Sequence, residues 1–449
     1  MEYMSTKKYQ IILLILLFIG GAKIGAAQDT LRLSLNEALK IAHQNNLNLK
    51  NSQLDLKMAQ KKIWETTAIG LPHLDGTAKY TFTPTVPTLP ATSFDPNAGP
   101  NDVIELGVKQ NIVYDLTASQ LIFNGAYLIG LKASRVYYDL SKESLEKAEL
   151  EINEAVANTY NMILVGVESR KILKSNLENV NKTLAEIGEM YKTGFVEKTD
   201  VDQLELTANT IANAILQVDN NLDVAYRLMK IHLGLVENTN IKLTDKLEME
   251  DSQVISLNAL ASEPFNIEKN IDFKLATTAE LLAKYDYKRE ITNSLPVIAA
   301  YYNHQEKWKK PAFDFAPKNI FGINVSLPIF SSGQRSSVVS QKKMAFEKAT
   351  NNKLYAGNSL TMQSAQYQND LKSKLDKFRI QKKSKELSDV IYQRTLEKYK
   401  QGISSSQELM TIQNQYLTNL TNYYQSIYDV VGAKTKLEKL FNINQNTTK

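Results

Sequence analysis

The stretch EMYKTGFVEKTDV, starting at Glu189, returns 208 positions later as EKYKQGISSSQEL, starting at Glu397. Self-similarity over such a distance means two structural units of one kind, which constrains the fold more than any compositional figure does. Through their second halves the copies align without a gap. Glu189, Tyr191, Lys192 and Gly194 match Glu397, Tyr399, Lys400 and Gly402, and Ala225 matches Ala433. The first halves align at an offset of 224: NNLNLKNSQ at Asn45 meets KNIDFKLAT at Lys269, and GLPHL at Gly70 meets SLPVI at Ser294.

Each repeated turn lies between long helical patterns. After the first, apolar residues run Val201, Leu204, Ala208, Ile211, Ile215, Val218, Leu222, Ala225 and Met229. After the second they run Leu409, Ile412, Tyr416, Leu420, Tyr423, Ile427, Val430 and Leu437, with Lys434 on the same stripe. Steps of three and four lay a narrow seam along a helix, as in coiled coils. The preceding helices are longer still: no proline interrupts Ala126 to Lys192, and a stretch of that length reaches ~100 Å at 1.5 Å per residue. Its counterpart is expected from Gln334 to Lys400. The repeated motif is then the turn of a helical hairpin, with Gly194 and Gly402 where a left-handed residue ends a helix.

Ahead of each long helix the pattern changes from helical to alternating. A helix stops before Pro72 and Pro296, as the restricted backbone preceding proline requires. Leu74, Gly76, Ala78, Tyr80 and Phe82 then alternate with Asp75, Thr77, Lys79 and Thr81, and a second run carries Leu106, Val108, Ile112, Tyr114, Leu116 and Ala118. In the second copy Phe321, Ile323, Val325 and Leu327 face one way. Two strand hairpins are expected, over 73–123 and 297–330. The first has the longer loop, TPTVPTLPATSFDPNAGPND, holding five of the chain's 11 prolines and expected to be exposed. The shorter loop, QEKWKKPAFDFAPK, carries Trp308, Phe313 and Phe315, aromatics that suit either a membrane interface or packing within the loop.

Residues 1–27 read as a secretory signal: Lys7 and Lys8, an apolar run from Ile11 to Ile19, and small residues ending in IGAAQ. Its removal takes away three Lys and one Glu and leaves a formal charge of about +3, too near neutral to argue for nucleic acid. The chain has no Cys, hence no disulfide framework and no thiolate metal site. His43, His73, His232 and His304 are scattered. No nucleophile–base pair, metal-ligand spacing or phosphate-cradling Gly loop appears, so neither catalysis nor a metal or other cofactor is expected. Past the signal no apolar segment is long enough for a membrane helix, so any spanning falls to strands. Four strands per chain neither close a barrel nor cover a sheet edge, so several chains must pool theirs. Three chains would supply about twelve.

The expected fold class is mainly α with a β-barrel portion: an internally duplicated chain of long helical hairpins and four membrane strands. The first repeat is placed at 28–235, a linking segment at 236–262, and the second repeat at 263–449. The chain resembles the outer-membrane efflux proteins, the TolC-like outer membrane factors. The resemblance covers about Leu33 to Asn442 and is carried by LSLNEALKIAHQNNLNLK, VSLPIFSSGQR at Val325, YKTGFVEKTDVDQLE at Tyr191 and YKQGISSSQELMTIQNQYL at Tyr399. It implies a homotrimer, a 12-stranded barrel in outer-membrane lipid and a periplasmic α-barrel. The implied partners are a periplasmic adaptor of the membrane fusion type and an inner-membrane transporter of RND or ABC type, served by the trimer as a passive exit duct. A soluble periplasmic coiled-coil scaffold is the alternative, which the alternating hairpins oppose.

By the same resemblance Tyr191, Lys192, Gly194, Lys400 and Gly402 form the periplasmic tips that dock the adaptor, and Asp200, Tyr399 and Glu408 belong to the closable entrance. For the glycines and tyrosines helix capping and turn packing suffice, and both readings can hold together. Asp200 and Glu408 stand six residues past their glycines. Each is either a helix-start acid favoured by the macrodipole or, by resemblance, part of the closure: Asp200 in its hydrogen bonds, Glu408 in a lumen-facing carboxylate ring. Ser404 stands where well-known members have an arginine, and Thr411 where some have a second acid.

Overall fold

The structure, a computed structural model, describes residues 30–247, 249–311 and 314–443. The expected signal segment lies outside the described residues, as does Phe313. In chain order come β1 (Leu31–Leu33), α1 (Leu35–Asn45), α2 (Leu47–Ala68), β2 (His73–Phe82), β3 (Thr88–Pro90), β4 (Val103–Glu105), β5 (Gln110–Phe123), α3 (Gly125–Lys192) and α4 (Lys198–Leu233). They are followed by β6 (Ile241–Leu243), α5 (Asp251–Leu260), α6 (Ile271–Thr292), β7 (Val297–Lys307), β8 (Asn319–Ser326), α7 (Gln334–Lys400) and α8 (Ser406–Leu440). α3 has 68 residues and α7 has 67, so both long helices expected from the unbroken patterns are present. The chain divides into two compact units, one comprising the residues up to Asn46 with Ile152–Leu257 and Ser373–Thr435, the other comprising Leu47–Glu151, Asn258–Lys372 and the residues from Lys436 on.

The first unit packs the lower parts of α3 and α7 with α4 and α8. The seam on α4 is buried through Leu204, Ala208, Ile211, Ile215, Leu222, Ala225 and Met229, and Val180 of α3 packs with Ala208, Ile211 and Ile215. Within this unit α8 buries Leu409, Leu420, Ile427 and Val430. Sequence patterning missed the start of this unit, because β1 and β6 have only three residues each and pair in parallel, Arg32 opposite Lys242. They are anchored by side chains. Tyr160 of α3, almost fully buried, donates to Leu33 O at 3.0 Å and accepts from Asp245 N at 3.4 Å. Burial raises this phenol far above its ordinary range. Ser34 caps α1 by accepting from Glu37 N, while the Glu37 carboxylate accepts from Ser34 N at 2.7 Å. That reciprocal bond satisfies two backbone donors and holds the Glu37 carboxyl below its usual range.

The second unit contains a four-stranded antiparallel sheet in the order β2-β5-β7-β8. Thr77 lies opposite Asp115, Thr117 opposite Asn303, and Tyr302 opposite Phe321. Directly opposed residues share a face. One face therefore carries Leu74, Ala78, Tyr80 and Phe82 with Tyr114, Leu116, Tyr302, Phe321, Ile323 and Val325. The other carries Asp75, Thr77, Lys79, Asp115, Thr117, Asn303 and Gln305. On the polar face Asn303 Nδ2 donates to Thr117 Oγ1 and Gln305 Nε2 to Asp115 Oδ1, each at 2.9 Å. The apolar face is uncovered: Phe321 is 74% exposed and Leu74 68%.

The alternation expected from Leu106 does not all become strand. Leu106 N donates back to Pro87 O at 2.9 Å, so the chain bends at 106–109 and β5 starts at Gln110. The long loop folds on itself as the β3–β4 ribbon. Where strands meet helices, polar side chains fix the exit. Gln120 Nε2 donates to Gly70 O at 2.6 Å. Arg335, to which no role was assigned from sequence, donates from Nη1 to Pro328 O at 2.7 Å and from Nε to Ser331 Oγ at 3.0 Å. The start of α6 is tied down by Asn270, which caps it and donates from Nδ2 to Leu440 O at 2.8 Å.

Gly234 ends α4 at φ +63°, and a Cβ placed there would lie 2.3 Å from Asn45 O. Gly234→Ala is therefore expected to lower stability by at least ~1–3 kcal/mol from the backbone strain alone. Gly188→Ala, in a helix with open space around the added carbon, should be neutral or stabilising by ~0.5–1 kcal/mol. Thermal melting of the detergent-purified protein checks this. Equal loss in both variants would contradict it.

Candidate functional site: the hairpin tips

The two repeated turns have the same backbone geometry. In the first, Phe195 N donates to Met190 O at 2.9 Å and Gly194 N to Tyr191 O at 3.0 Å; in the second, Ile403 N donates to Lys398 O and Gly402 N to Tyr399 O, each at 2.9 Å. This pair of bonds satisfies the last helical carbonyls and needs a left-handed residue between them. Gly194 has φ +81° and Gly402 φ +72°, and a Cβ at either would meet nothing within 4 Å. Backbone conformation, rather than close packing, thus requires glycine here. The residues that follow, Phe195 and Ile403, are 78% and 69% exposed.

Past the turns the side chains diverge. Glu197 precedes α4 and its N–H donates to Asp200 Oδ2 at 3.3 Å. The matching Ser405 precedes α8; its hydroxyl accepts from Glu408 N at 3.1 Å, and Ser404 Oγ donates to Glu408 Oε2 at 2.7 Å. Asp200 also accepts, through Oδ1, a short hydrogen bond from Ser406 Oγ. That bond joins the two hairpins of one chain. Asp200 thus stands as a helix-start acid and as a bridging acceptor at once. Ser406 gave no signal in the sequence, because its counterpart in the first copy is Lys198 and the alignment offers no hydroxyl to compare.

The matched tyrosines also differ. Tyr191 is exposed. Tyr399 is half-buried, and burial, reinforced by the negative charges of Asp200 and Glu186, pushes its phenol up and keeps it protonated. Lys192 pairs with Glu189 at 2.8 Å, with both side chains about three-quarters exposed, a geometry worth little. Lys400 closes α7, and its side chain lies outside the described ones. Glu408 is exposed, with its carboxylate held by Ser404. The structure thus brings Asp200, Tyr399 and Ser406 together, while Tyr191, Lys192 and Glu408 stand apart from that cluster.

Farther along the same unit the hairpins meet through polar pairs, one of them fully buried. Gln413 Nε2 donates to Asn176 Oδ1 at 2.6 Å, with the residues 4% and 6% exposed. Thr435 Oγ1 donates to Asn158 Oδ1 at 3.1 Å. Tyr392 and Tyr416 stack with centroids 5.2 Å apart. Asp429 accepts from Lys377 at 3.1 Å, and its hydrogen bonds and the charges of Lys377 and Lys374 hold it below the ordinary carboxylate range against the opposing effect of burial.

Comparison with known proteins places this geometry. The model of the outer membrane efflux protein family matches residues 38–234. The Outer membrane protein TolC of Salmonella enteritidis is 21% identical over 359 residues, covering 76% of this chain and 67% of TolC. Crystal structures of CusC superpose with a TM-score of 0.74 at 15% identity, over 91% of each chain. The Campylobacter jejuni CmeC outer membrane channel does so with a TM-score of 0.74 at 17% identity, over 91% of this chain and 85% of CmeC. Mainly helical hairpins with a four-stranded sheet are the shared fold, and the resemblance read from the sequence stands. Over residues 38–234 the chain matches the outer membrane efflux protein family, it is distantly similar to TolC, and it shares the fold of the CusC and CmeC outer membrane channels.

Proposed function

We propose that three copies of this chain assemble into a passive exit duct that docks, through its hairpin tips, to a periplasmic adaptor of the membrane fusion type and an inner-membrane transporter of RND or ABC type. The observation that carries this reading is the sheet. No helix among the described residues is long and apolar enough to cross a membrane, whereas β2, β5 and β7 have 10, 14 and 11 residues and a tilted membrane strand needs ~9–11. Within one chain β2 and β8 are edges. Backbone groups on an edge have no partner in hydrocarbon, so β8 of one copy must pair with β2 of the next. Three sheets of four strands give a closed barrel of twelve, with the apolar face in lipid and the polar face lining the lumen. A soluble scaffold would leave the apolar face in water.

In this reading the structural repeats are residues 28–235 and 263–449, joined by 236–262, and the two turns are periplasmic tips. Tyr191, Lys192, Gly194, Lys400 and Gly402 offer the adaptor a rigid backbone surface. Asp200, Tyr399 and Ser406 hold the two hairpins of a protomer together at the entrance, a hydroxyl-to-carboxylate clasp in place of an arginine salt bridge. Glu408 turns toward the threefold axis, where three carboxylates repel one another and attract polyvalent cations. No catalytic step belongs to such a duct.

Two experiments test the reading. A cysteine at Ser93, in the β3–β4 loop of a chain without native Cys, should react with an impermeant maleimide on intact cells, and one at Gly194 only after the outer membrane is breached. The reverse pattern contradicts the topology. In planar bilayers Glu408→Gln should lower cation selectivity and weaken block by a trivalent cation added from the tip side, whereas Glu397→Gln should do neither. Equal block in wild type and Glu408→Gln would mean that this carboxylate faces away from the lumen.

A further inference from the structure

The two strand hairpins carry opposite charge at their loops. From Thr83 to Lys109 the first has Asp95, Asp102 and Glu105 against Lys109 alone. From Glu306 to Lys318 the second has Lys307, Lys309, Lys310 and Lys318 against Glu306 and Asp314. Both carboxylates of the second are engaged: Asp314 pairs with Lys307 at 2.7 Å, and Glu306 with Lys318 at 2.8 Å. Lys309 and Lys310 are exposed and, among the described residues, form no ion pair. At the end of β7 remote from the helices the loop thus carries two more cations than anions, although the Lys310 charge also acts on Glu306 and Asp314 from beyond ion-pair distance.

Their placement relative to the sheet is specific. Trp308 N donates to Ile112 O at 2.9 Å, which continues the β5–β7 register past Lys307. Trp308 therefore follows Tyr302, His304 and Glu306 on the apolar face, and it is 59% exposed. Lys309 Nζ lies 4.9 Å from the centre of its ring. Toward the helices the same face passes Glu306, His304 and Asn319, with Tyr114 and Leu116 beside them on β5, and then continues into Tyr302, Phe321, Ile323 and Val325. An indole at the margin of an apolar band, with ammonium groups beside and beyond it, matches the boundary between acyl chains and charged headgroups.

We infer that Trp308, Lys309 and Lys310 form a binding site for the phosphate of an anionic glycolipid in the outer leaflet, with the acyl chains lying along the apolar face below. The site rests on the outward orientation of the hairpin loops proposed above. A free phosphate would use the ammonium groups but gain nothing from Trp308 and the band beneath it. The acidic loop of a neighbouring copy is disfavoured because its carboxylates serve their own turns: Asp95 Oδ1 accepts from Asn97 N and Asp102 Oδ2 from Gly99 N, each at 2.9 Å.

Native mass spectrometry of the detergent-purified full-length protein, titrated with diphosphoryl lipid A, tests the site. Each lysine near an anionic surface contributes roughly a fivefold effect on affinity, so Lys309→Gln with Lys310→Gln should weaken lipid A binding about 25-fold. Lys309→Arg with Lys310→Arg should retain it, and dephosphorylated lipid A should bind wild type as weakly as diphosphoryl lipid A binds the Gln pair. The site is overturned if the Gln pair binds lipid A as wild type does. It is also overturned if millimolar inorganic phosphate displaces the lipid, or if Asp95→Asn with Asp102→Asn causes the same loss, which would mark a contact between loops. A Gln pair that still fractionates with the outer membrane and conducts normally separates this outcome from failure of the duct itself.

Discussion

A sheet with one apolar face and two open edges is the constraint on which the rest of this protein depends. Each unpaired backbone donor or acceptor in hydrocarbon costs several kcal/mol, and a four-stranded sheet presents a row of them on β2 and another on β8. Side-chain chemistry offers little relief, because over most of its area this face carries Phe, Ile, Val, Leu, Ala and Tyr. Only strands from further copies can complete the ladder. The polar face, by contrast, carries side-chain hydrogen bonds across strands, Asn303 with Thr117 and Gln305 with Asp115. The asymmetry between the faces assigns one to lipid and the other to water.

At the tips duplication has preserved the backbone and released the side chains. Both turns keep the same two hydrogen bonds and a positive-φ glycine. The acid six residues on is used differently in each. Asp200 accepts from its own helix start and from Ser406 across the hairpins, whereas Glu408 is held by Ser404 within its own turn. Two chemically unlike tips on one scaffold let a single chain make a clasp at one and leave a carboxylate exposed at the other. The buried pair Asn176–Gln413 and the partly buried pair Asn158–Thr435 join the hairpins farther along.

Much of this was legible from residues alone, and the rest was not for definite reasons. The long helices declared themselves through unbroken periodicity, the turns through repeated glycine, and β2 and β8 through strict alternation. Alternation misled at Leu106 and Val108: Leu106 N bonds to Pro87 O, which extends the β3–β4 ribbon rather than the four-stranded sheet, and the chain bends before β5 begins. β1 and β6 are too short to show a period, and their pairing is fixed by Tyr160, far away in sequence. Asp200 and Tyr399 could be singled out from their positions after and before the turn glycines. Ser406 and Arg335 could not, since what each does depends on a partner that only the folded chain supplies.

The central claim is that β8 of one copy pairs with β2 of another, and the absence of native Cys allows it to be measured directly. Cysteines placed in turn at Asp75, Thr77 and Lys79 of β2 are combined with cysteines at Ile320, Gly322 and Asn324 of β8, and oxidised in native membranes. All six positions lie on the polar face, so closure between copies predicts that the combinations directly opposed across the β8–β2 ladder give covalent dimers and trimers on non-reducing gels while combinations farther out of register do not. Exclusively monomeric chains in every combination, or disulfides formed only within one chain, would contradict it.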